Sequence, residues 1–413
     1  MKVSGIIAEY NPFHNGHAYQ LATAKKETGA DYIIIAMSGD FLQRGVPAIL
    51  DKYERTKMAL SEGADLVLEL PVQSATASAE YFGQAGISLL AKTGVVSTVC
   101  YGCENADPEL VSVLCKLLSD ESPRFSDTVK TLLKKGFSYP EARSEAAGLV
   151  LSADKKFNRD EVNKFLSSPN NILALEYEKA ILKWNKEHPE NELKGHAILR
   201  IGEGYHSTET ENGFASATAI RALLTGESSA TPAPEKIEKI RAHVPEDVYD
   251  ILRGAAENNR LITPDDFSEV LFARLWSLRE TGYEDFADCG TDLSYRIAKN
   301  LDKFVSFSQF AELIKSRNLT YTRVCRALLH IMLDIKKSGC EIPYLRVLGF
   351  KKGSEALLTA IKKEAAAPLI TKVADASEIL SDDMRCADLY RTVVQIKSGI
   401  AFPNEYTQGL VIL

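Results

Sequence analysis

The stretch VSGIIAEYNPFHNGH, Val3 to His17, decides how the chain is read. Its first half is apolar and rich in β-branched residues, which predicts a strand buried on both faces. Its second half, EYNPFHNGH, holds Asn-Pro, a glycine and two histidines, so the strand ends in a turn and a helix begins near His17. A helix start at the carboxyl end of such a strand gathers free backbone N–H groups and the positive end of the helix dipole, which attract anions. His14 and His17 add side-chain donors at the same place, and Gly16 leaves room for a flat base or a phosphate to approach the backbone. A turn accounts for Asn11 and Pro12 but does not call for both histidines.

Outward from this stretch, DYIIIAMSG (Asp31 to Gly39), ADLVLELP (Ala64 to Pro71), STVCYGC (Ser97 to Cys103) and GHAILRIG (Gly195 to Gly202) are further apolar runs. Helix-length stretches, His17 to Thr28, Lys52 to Glu62 and Ala77 to Lys92, separate the first four runs. Strand and helix alternating at this spacing predict an α/β fold with a Rossmann-like, doubly wound parallel sheet. The alternation lapses after Cys103, so a helical insertion is expected around residues 105–190. GESSATPAP, Gly226 to Pro234, reads as a linker because small, polar and proline residues bury too little surface to order themselves. The expected division is a first domain over 1–225, a linker over 226–234 and a mainly helical second domain over 235–413.

The 413 residues are 45% hydrophobic and 25% charged, ordinary globular composition. No apolar run is long enough to span a membrane, and the start lacks a signal-peptide pattern, so a cytoplasmic protein without a membrane partner is expected. The seven cysteines are scattered and odd in number, which fits reduced thiols better than a disulfide framework. Cys100 and Cys103 spell a lone CxxC without a second pair or a nearby histidine, and no metal site is expected there or at His188, His196, His206, His243 and His330. The net charge of −7 is uneven: residues 1–235 hold 24 basic against 31 acidic side chains, while Lys315 to Lys363 holds 11 against 3. That second segment is a candidate surface for a phosphate backbone, although solvated helix faces explain the charge equally well.

A second polar cluster, FASATAIRALL (Phe214 to Leu224), follows the last strand-like run. Ser216 can cap a helix, Thr218 falls in its first turn and Arg221 one turn further on. Taken alone, this reads as a plain helix cap with an exposed arginine sooner than as a phosphate clamp.

His14-Asn15-Gly16-His17 and Ser216-Ala217-Thr218-Ala219-Ile220-Arg221 together resemble the two markers of the HIGH-type nucleotidyltransferases. The resemblance implies cleavage of ATP between its α and β phosphates, with His14, His17, Thr218 and Arg221 as the catalytic group. Longer stretches extend it: MSGDFLQRGVPAILDKYERTKMAL (Met37 to Leu60), ADLVLELPV, YGCE, SPNNILALEY (Ser168 to Tyr177) and PYLRVLGF (Pro343 to Phe350) are similar to the tRNA(Met) cytidine acetate ligase family. Asp40 departs from it, since Asn is more usual there. Membership would imply that acetate is activated with ATP and Mg²⁺ and passed to N4 of the wobble cytidine of elongator tRNA(Met).

Carried onto this chain, the ATP site would comprise the loop formed by Ile7, Ala8, Glu9, Tyr10, Asn11, Pro12, Phe13, His14, Asn15, Gly16, His17, Ala18, Tyr19 and Gln20, together with Gly102, Asn170, Arg200 and Ser216. Asp40, Gln43 and Arg44 would frame acetate or the base. Arg323, Arg326, Arg346, Lys351 and Lys352 would grip the anticodon stem-loop. Two other readings stay open on the sequence: an adenylyltransferase joining AMP to a small phosphorylated acceptor, and an RNA-binding protein without catalysis.

Overall fold

The computed structural model describes all residues except 106, 121, 154–156, 202–214, 227–232, 338 and 340. Most of the expected linker, together with His206, Phe214 and Cys340, therefore lies outside the described residues. Five parallel strands, β1 (Val3–Ala8), β2 (Tyr32–Ser38), β3 (Leu66–Leu70), β4 (Thr98–Cys103) and β5 (Lys194–Leu199), stand in the order β5-β4-β1-β2-β3. All five coincide with the apolar runs of the sequence. Successive strand residues point to opposite faces, and both faces are covered. Ile6, Ile33, Ile35, Val67 and Cys100 pack with Leu21 and Ala24 on one face, while Ile34, Ala36, Leu66, Leu68 and Val99 pack with Phe82, Ile87 and Leu90 on the other.

The order reverses between β1 and β4, because the chain proceeds from β1 to β2 on one side and returns after β3 to β4 on the other. In open α/β sheets ligands bind outside the carboxyl ends of the strands at such a switch. Helix Asn15–Thr28 starts there, as does helix Ala79–Lys92 on the opposite face. The latter lies close to β1: a Cβ on Gly86 would stand 2.6 Å from the Ile7 side chain. Helix Pro169–Glu187 packs beside it, at the end of a helical insertion with its own core of Leu110, Leu114, Phe125, Val162 and Phe165.

The later half is mainly helical, with a separate cluster around Phe267, Leu271, Phe310, Val324 and Leu328. It also departs from the sequence reading. PYLRVLGF carries β6 (Leu345–Phe350), which joins the sheet antiparallel to β3; β7 (Leu369–Ile370) and β8 (Val411–Ile412) both pair with β6. These three strands complete the sheet that the first half begins, so the segment after residue 343 is not an independent helical extension. No helix among the described residues is long and apolar enough to cross a membrane.

Candidate active site

The loop after β1 is held from several directions. Tyr10 adopts φ 48°, in the left-handed region that a bulky side chain seldom occupies, and the Asn11–Pro12 peptide is cis. Its ring is buried against Phe13 and His17, with centroids 4.8 and 4.9 Å away. Asn11 Oδ1 accepts from Ile49 N at 2.8 Å, and Glu9 Oε1 accepts from Gln43 N at 2.8 Å. The fully buried Arg55 donates to the carbonyls of Glu9 (2.6 Å), Ser38 (3.1 Å), Gly39 and Leu50 (3.0 Å). One guanidinium thus ties the ends of β1 and β2 to the loop that follows β2.

His14 caps helix Asn15–Thr28. Its Nδ1 accepts from Gly16 N at 3.0 Å, while His17 Nδ1 accepts from His14 N at 3.3 Å. This reciprocal arrangement replaces the usual Ser and Glu of a capping box with two imidazoles. Because both Nδ1 atoms accept, each neutral ring carries its proton on Nε2. The rings stack with centroids 3.8 Å apart. Burial, then the nearby Arg200 and Arg221, push His14 down to about 3; burial, His14 and Arg200 hold His17 well below its ordinary value. Both are uncharged donors near neutral pH.

Ser216 caps helix Ala217–Thr225 by accepting from Ala219 N at 3.2 Å. Arg221 reaches back to the first loop, donating to Asn11 O at 2.6 Å and to Thr218 Oγ1 at 3.2 Å. The two sequence clusters, some two hundred residues apart, therefore meet. Arg200 follows β5 and lies against Gly102 of β4, where a Cβ would stand 3.3 Å from the arginine Cγ. Asn170 donates to Glu104 Oε1 at 2.5 Å, whereas its neighbour Asn171 is buried and accepts from the backbone of Glu104 and Asn105.

These groups surround a cavity of about 380 Å³ at the switch point. Ile7, Ala8, Glu9, Tyr10, Asn11, His14, His17, Gln20, Gly102, Asn170, Arg200, Ser216, Thr218 and Arg221 all line it. Pro12, Phe13, Asn15, Gly16, Ala18 and Tyr19 do not. Phe13 is core, Asn15 donates to Ala242 O, and Ala18 and Tyr19 pack on the hydrophobic cluster behind the helix. Of the suggested acetate or base residues, Gln43 and Arg44 line the cavity with Leu42 and Val46. Asp40 is buried beneath them and accepts from Lys52 N at 2.7 Å. Sequence reading missed the apolar wall that includes Phe82, Leu173 and Tyr177. Its only signal is a helical stripe, which core packing produces equally well.

The proposed RNA-gripping residues fare unequally. Arg346 is 1% exposed and pairs with Glu69 at 2.8 Å and with Glu405, so it cannot face RNA. Arg326 forks onto Asp288 at 2.9 and 3.2 Å, which occupies its guanidinium. Lys351 and Lys352 are exposed, but β6 runs antiparallel, and Lys351 N bonds Asp65 O before β3. They therefore sit at the end of the sheet opposite the cavity. Arg323 is exposed in the first turn of helix Tyr321–Met332.

Of the other described histidines, His188 is partly exposed, His196 pairs with Glu27 at 2.8 Å, and His330 bonds Ala287 O and Thr76, whereas His243 is buried with Nδ1 unpartnered among the described residues and so departs from the expectation of a satisfied core group. The six described cysteines are free and buried.

A switch-point cavity edged by a histidine-capped helix and a Ser/Thr/Arg helix start defines a nucleotidyl transferase. The family model of the HIGH nucleotidyl transferases matches residues 1–401, and the chain belongs to that family. Within it, relatives from Fervidobacterium nodosum (34% identity, 96% of this chain and 86% of the relative) and Acetivibrio thermocellus (33%, all of both) are tRNA(Met) cytidine acetate ligases. The structures of Thermotoga maritima TmcAL, with α-thio ATP and without ligand, superpose with TM-scores of 0.86 and 0.88 at 29% identity over all of both chains. This chain is a member of the tRNA(Met) cytidine acetate ligases, a group of ATP-using ligases.

Proposed function

We propose that this chain joins acetate to ATP as acetyl-adenylate and then acetylates N4 of the wobble cytidine in the anticodon loop of elongator tRNA(Met). The observation that carries this reading is the convergence of His14, His17, Thr218, Arg200 and Arg221 on one cavity large enough for a nucleotide. An acetate oxygen attacks the α-phosphorus, the bond to the β-phosphate oxygen breaks, and pyrophosphate leaves. The neutral histidines donate Nε2–H to the phosphates, and Arg221 and Arg200 supply the positive charge. Such fixed donors stabilise charge that develops during the reaction without reorganising. Asn11 and Thr218 hold Arg221 in place before ATP arrives. The cytidine amine then attacks the acetyl carbon, AMP leaves, and the amine loses a proton. Its lone pair is delocalised into the ring, so it needs an activated acyl donor.

Mg²⁺ bound to the triphosphate would neutralise part of its charge. Among the described lining residues only Glu9 offers a carboxylate, and one of its oxygens already accepts from Gln43 N, so the ion would rest mainly on phosphate oxygens.

The test is ATP–pyrophosphate exchange. Exchange should require acetate and fall about 10²- to 10³-fold in His17→Ala, the usual effect of losing one donor to developing charge. Exchange that instead requires a phosphorylated acceptor would favour the adenylyltransferase reading. No pyrophosphate release by a folded protein that binds RNA would favour a non-catalytic one.

A further inference from the structure

We infer that the helical insertion and the later helical half jointly form a stacking surface for a single-stranded RNA loop beside the cavity. The surface rests on the turn Lys134–Tyr139 and on Arg317 and Arg323. This deepens the reading above, since it says where the RNA substrate would lie.

The turn joins helix Pro123–Lys134 to helix Tyr139–Ala153. Lys134 and Lys135 are exposed, Gly136 has φ 89°, and two aromatic rings then face solvent, Phe137 at 39% and Tyr139 at 56% exposure. Neither ring belongs to the insertion's buried core. The turn is held by Glu141, whose Oε2 accepts from Ser138 N at 2.8 Å and Ser138 Oγ at 2.7 Å. The same oxygen lies 3.9 Å from Arg317 Nη2, an exposed ion pair between the insertion and the segment before helix Tyr321–Met332.

That segment leads back to the cavity. Arg323 is exposed in the first turn of the helix, and the backbone of Cys325 and Arg326 abuts Gly45 so closely that a Cβ there would stand 2.2 Å from Arg326 N. Gly45 lies between Arg44 and Val46, both of which line the cavity. The ion pair, the chain from Arg317 to Arg326 and the close approach at Gly45 thus link the aromatic turn to the cavity rim.

The composition selects the occupant. Four cations, Lys134, Lys135, Arg317 and Arg323, accompany two exposed rings, with Glu141 as the acidic group linking the two segments. Rings interleaved with cations bind unstacked bases while the cations follow the phosphates. A duplex offers phosphates but no free base faces, so the rings favour a loop over a stem. An anticodon loop held here would deliver one extruded base to the cavity.

The experiment measures full-length protein binding to a labelled RNA stem-loop and to the same stem as a blunt duplex, across a salt series. The Phe137→Ala/Tyr139→Ala variant should weaken stem-loop binding about tenfold or more and leave duplex binding and acetate-dependent exchange unchanged. The Lys134→Gln/Lys135→Gln variant should weaken both RNAs and lower the salt slope by up to about two. Unchanged stem-loop binding in the aromatic variant overturns the inference, as does equal loss for stem-loop and duplex. If the wild type prefers the loop and the variant loses that preference, yet no acetate enters RNA, the surface stands and the proposed function fails. If acetate is transferred and the variant matches wild type, the function stands and the surface falls.

Discussion

His14 caps a helix with Nδ1, which under the proposed function would leave Nε2–H to meet the ligand in the cavity. Its low folded pKa, about 3, has a stability consequence. Below pH 6.5 the unfolded chain takes up a proton that the folded ring refuses, so stability falls as pH drops from 6.5 toward 3 and is unaffected above 6.5. His14→Asn keeps a capping oxygen and removes this dependence. Relative to wild type it should gain about 2 kcal/mol between pH 7.5 and pH 5, read from urea midpoints. Asp40 behaves oppositely. Burial, opposed chiefly by Lys52, raises it to about 6, and its Oδ2 has no hydrogen-bond partner among the described residues. Here the folded state holds the proton more tightly, so stability is lost as pH rises from about 4 to 6. Asp40→Asn should therefore gain about 3 kcal/mol over that interval and keep the gain at pH 7.5. Neither property is legible in the residue types. An HxGH motif shows where donors are, but their charge state depends on burial and on Arg200 and Arg221, which arrive from far along the chain.

Among elements, β1 to β5 were readable because buried parallel strands are continuous apolar runs, and the helix after β5 starts at Ser216, the cap its residue type suggests; the helix after β1, expected near His17, starts at Asn15 with His14 as a cap that residue type does not mark. β6 was not. PYLRVLGF has the same apolar character, but its place is set by antiparallel pairing with β3, nearly three hundred residues earlier, which no local pattern carries. Its arginine looks like a surface cation until Glu69 and Glu405 are known to lie beside it. The loop Leu42–Val46 shows how an element's position becomes part of the site. Gly45, at φ 75°, lets this loop lie directly on helix Tyr321–Met332. Gly45→Ala combines left-handed strain with a backbone collision and should cost about 2–4 kcal/mol, seen as a lower thermal midpoint. It should also raise the KM for RNA more than that for ATP, because the helix it displaces carries Arg323.

Over the whole molecule, a buried ion network joins the early sheet to the late chain. Glu405 lies among Lys52 (2.5 Å), Arg391 (3.3 Å) and Arg346, and Glu69 bridges Lys52 (2.7 Å) and Arg346 (2.8 Å). These charges come from both sides of the expected division at residues 226–234. Glu405→Gln would leave three buried cations under-compensated and should cost about 3–5 kcal/mol, measured by denaturant unfolding. Loss in one cooperative transition is the expected form, because the network spans both halves. The division was drawn where composition becomes loop-like, and composition says nothing about which later segments return to the sheet. Within the cavity lining, His14, His17, Thr218 and Arg221 are marked by residue type near helix starts, while the apolar wall is marked only by packing, as is Gly45 behind the lining loop. Activation of acetate for one cytidine by this cavity is tested most directly in the complete reaction. Incubating the protein with labelled acetate, ATP, Mg²⁺ and unmodified elongator tRNA(Met), then digesting the RNA to nucleosides, should yield label in N4-acetylcytidine from the wobble position; a folded protein that binds ATP but leaves that cytidine unlabelled would contradict it.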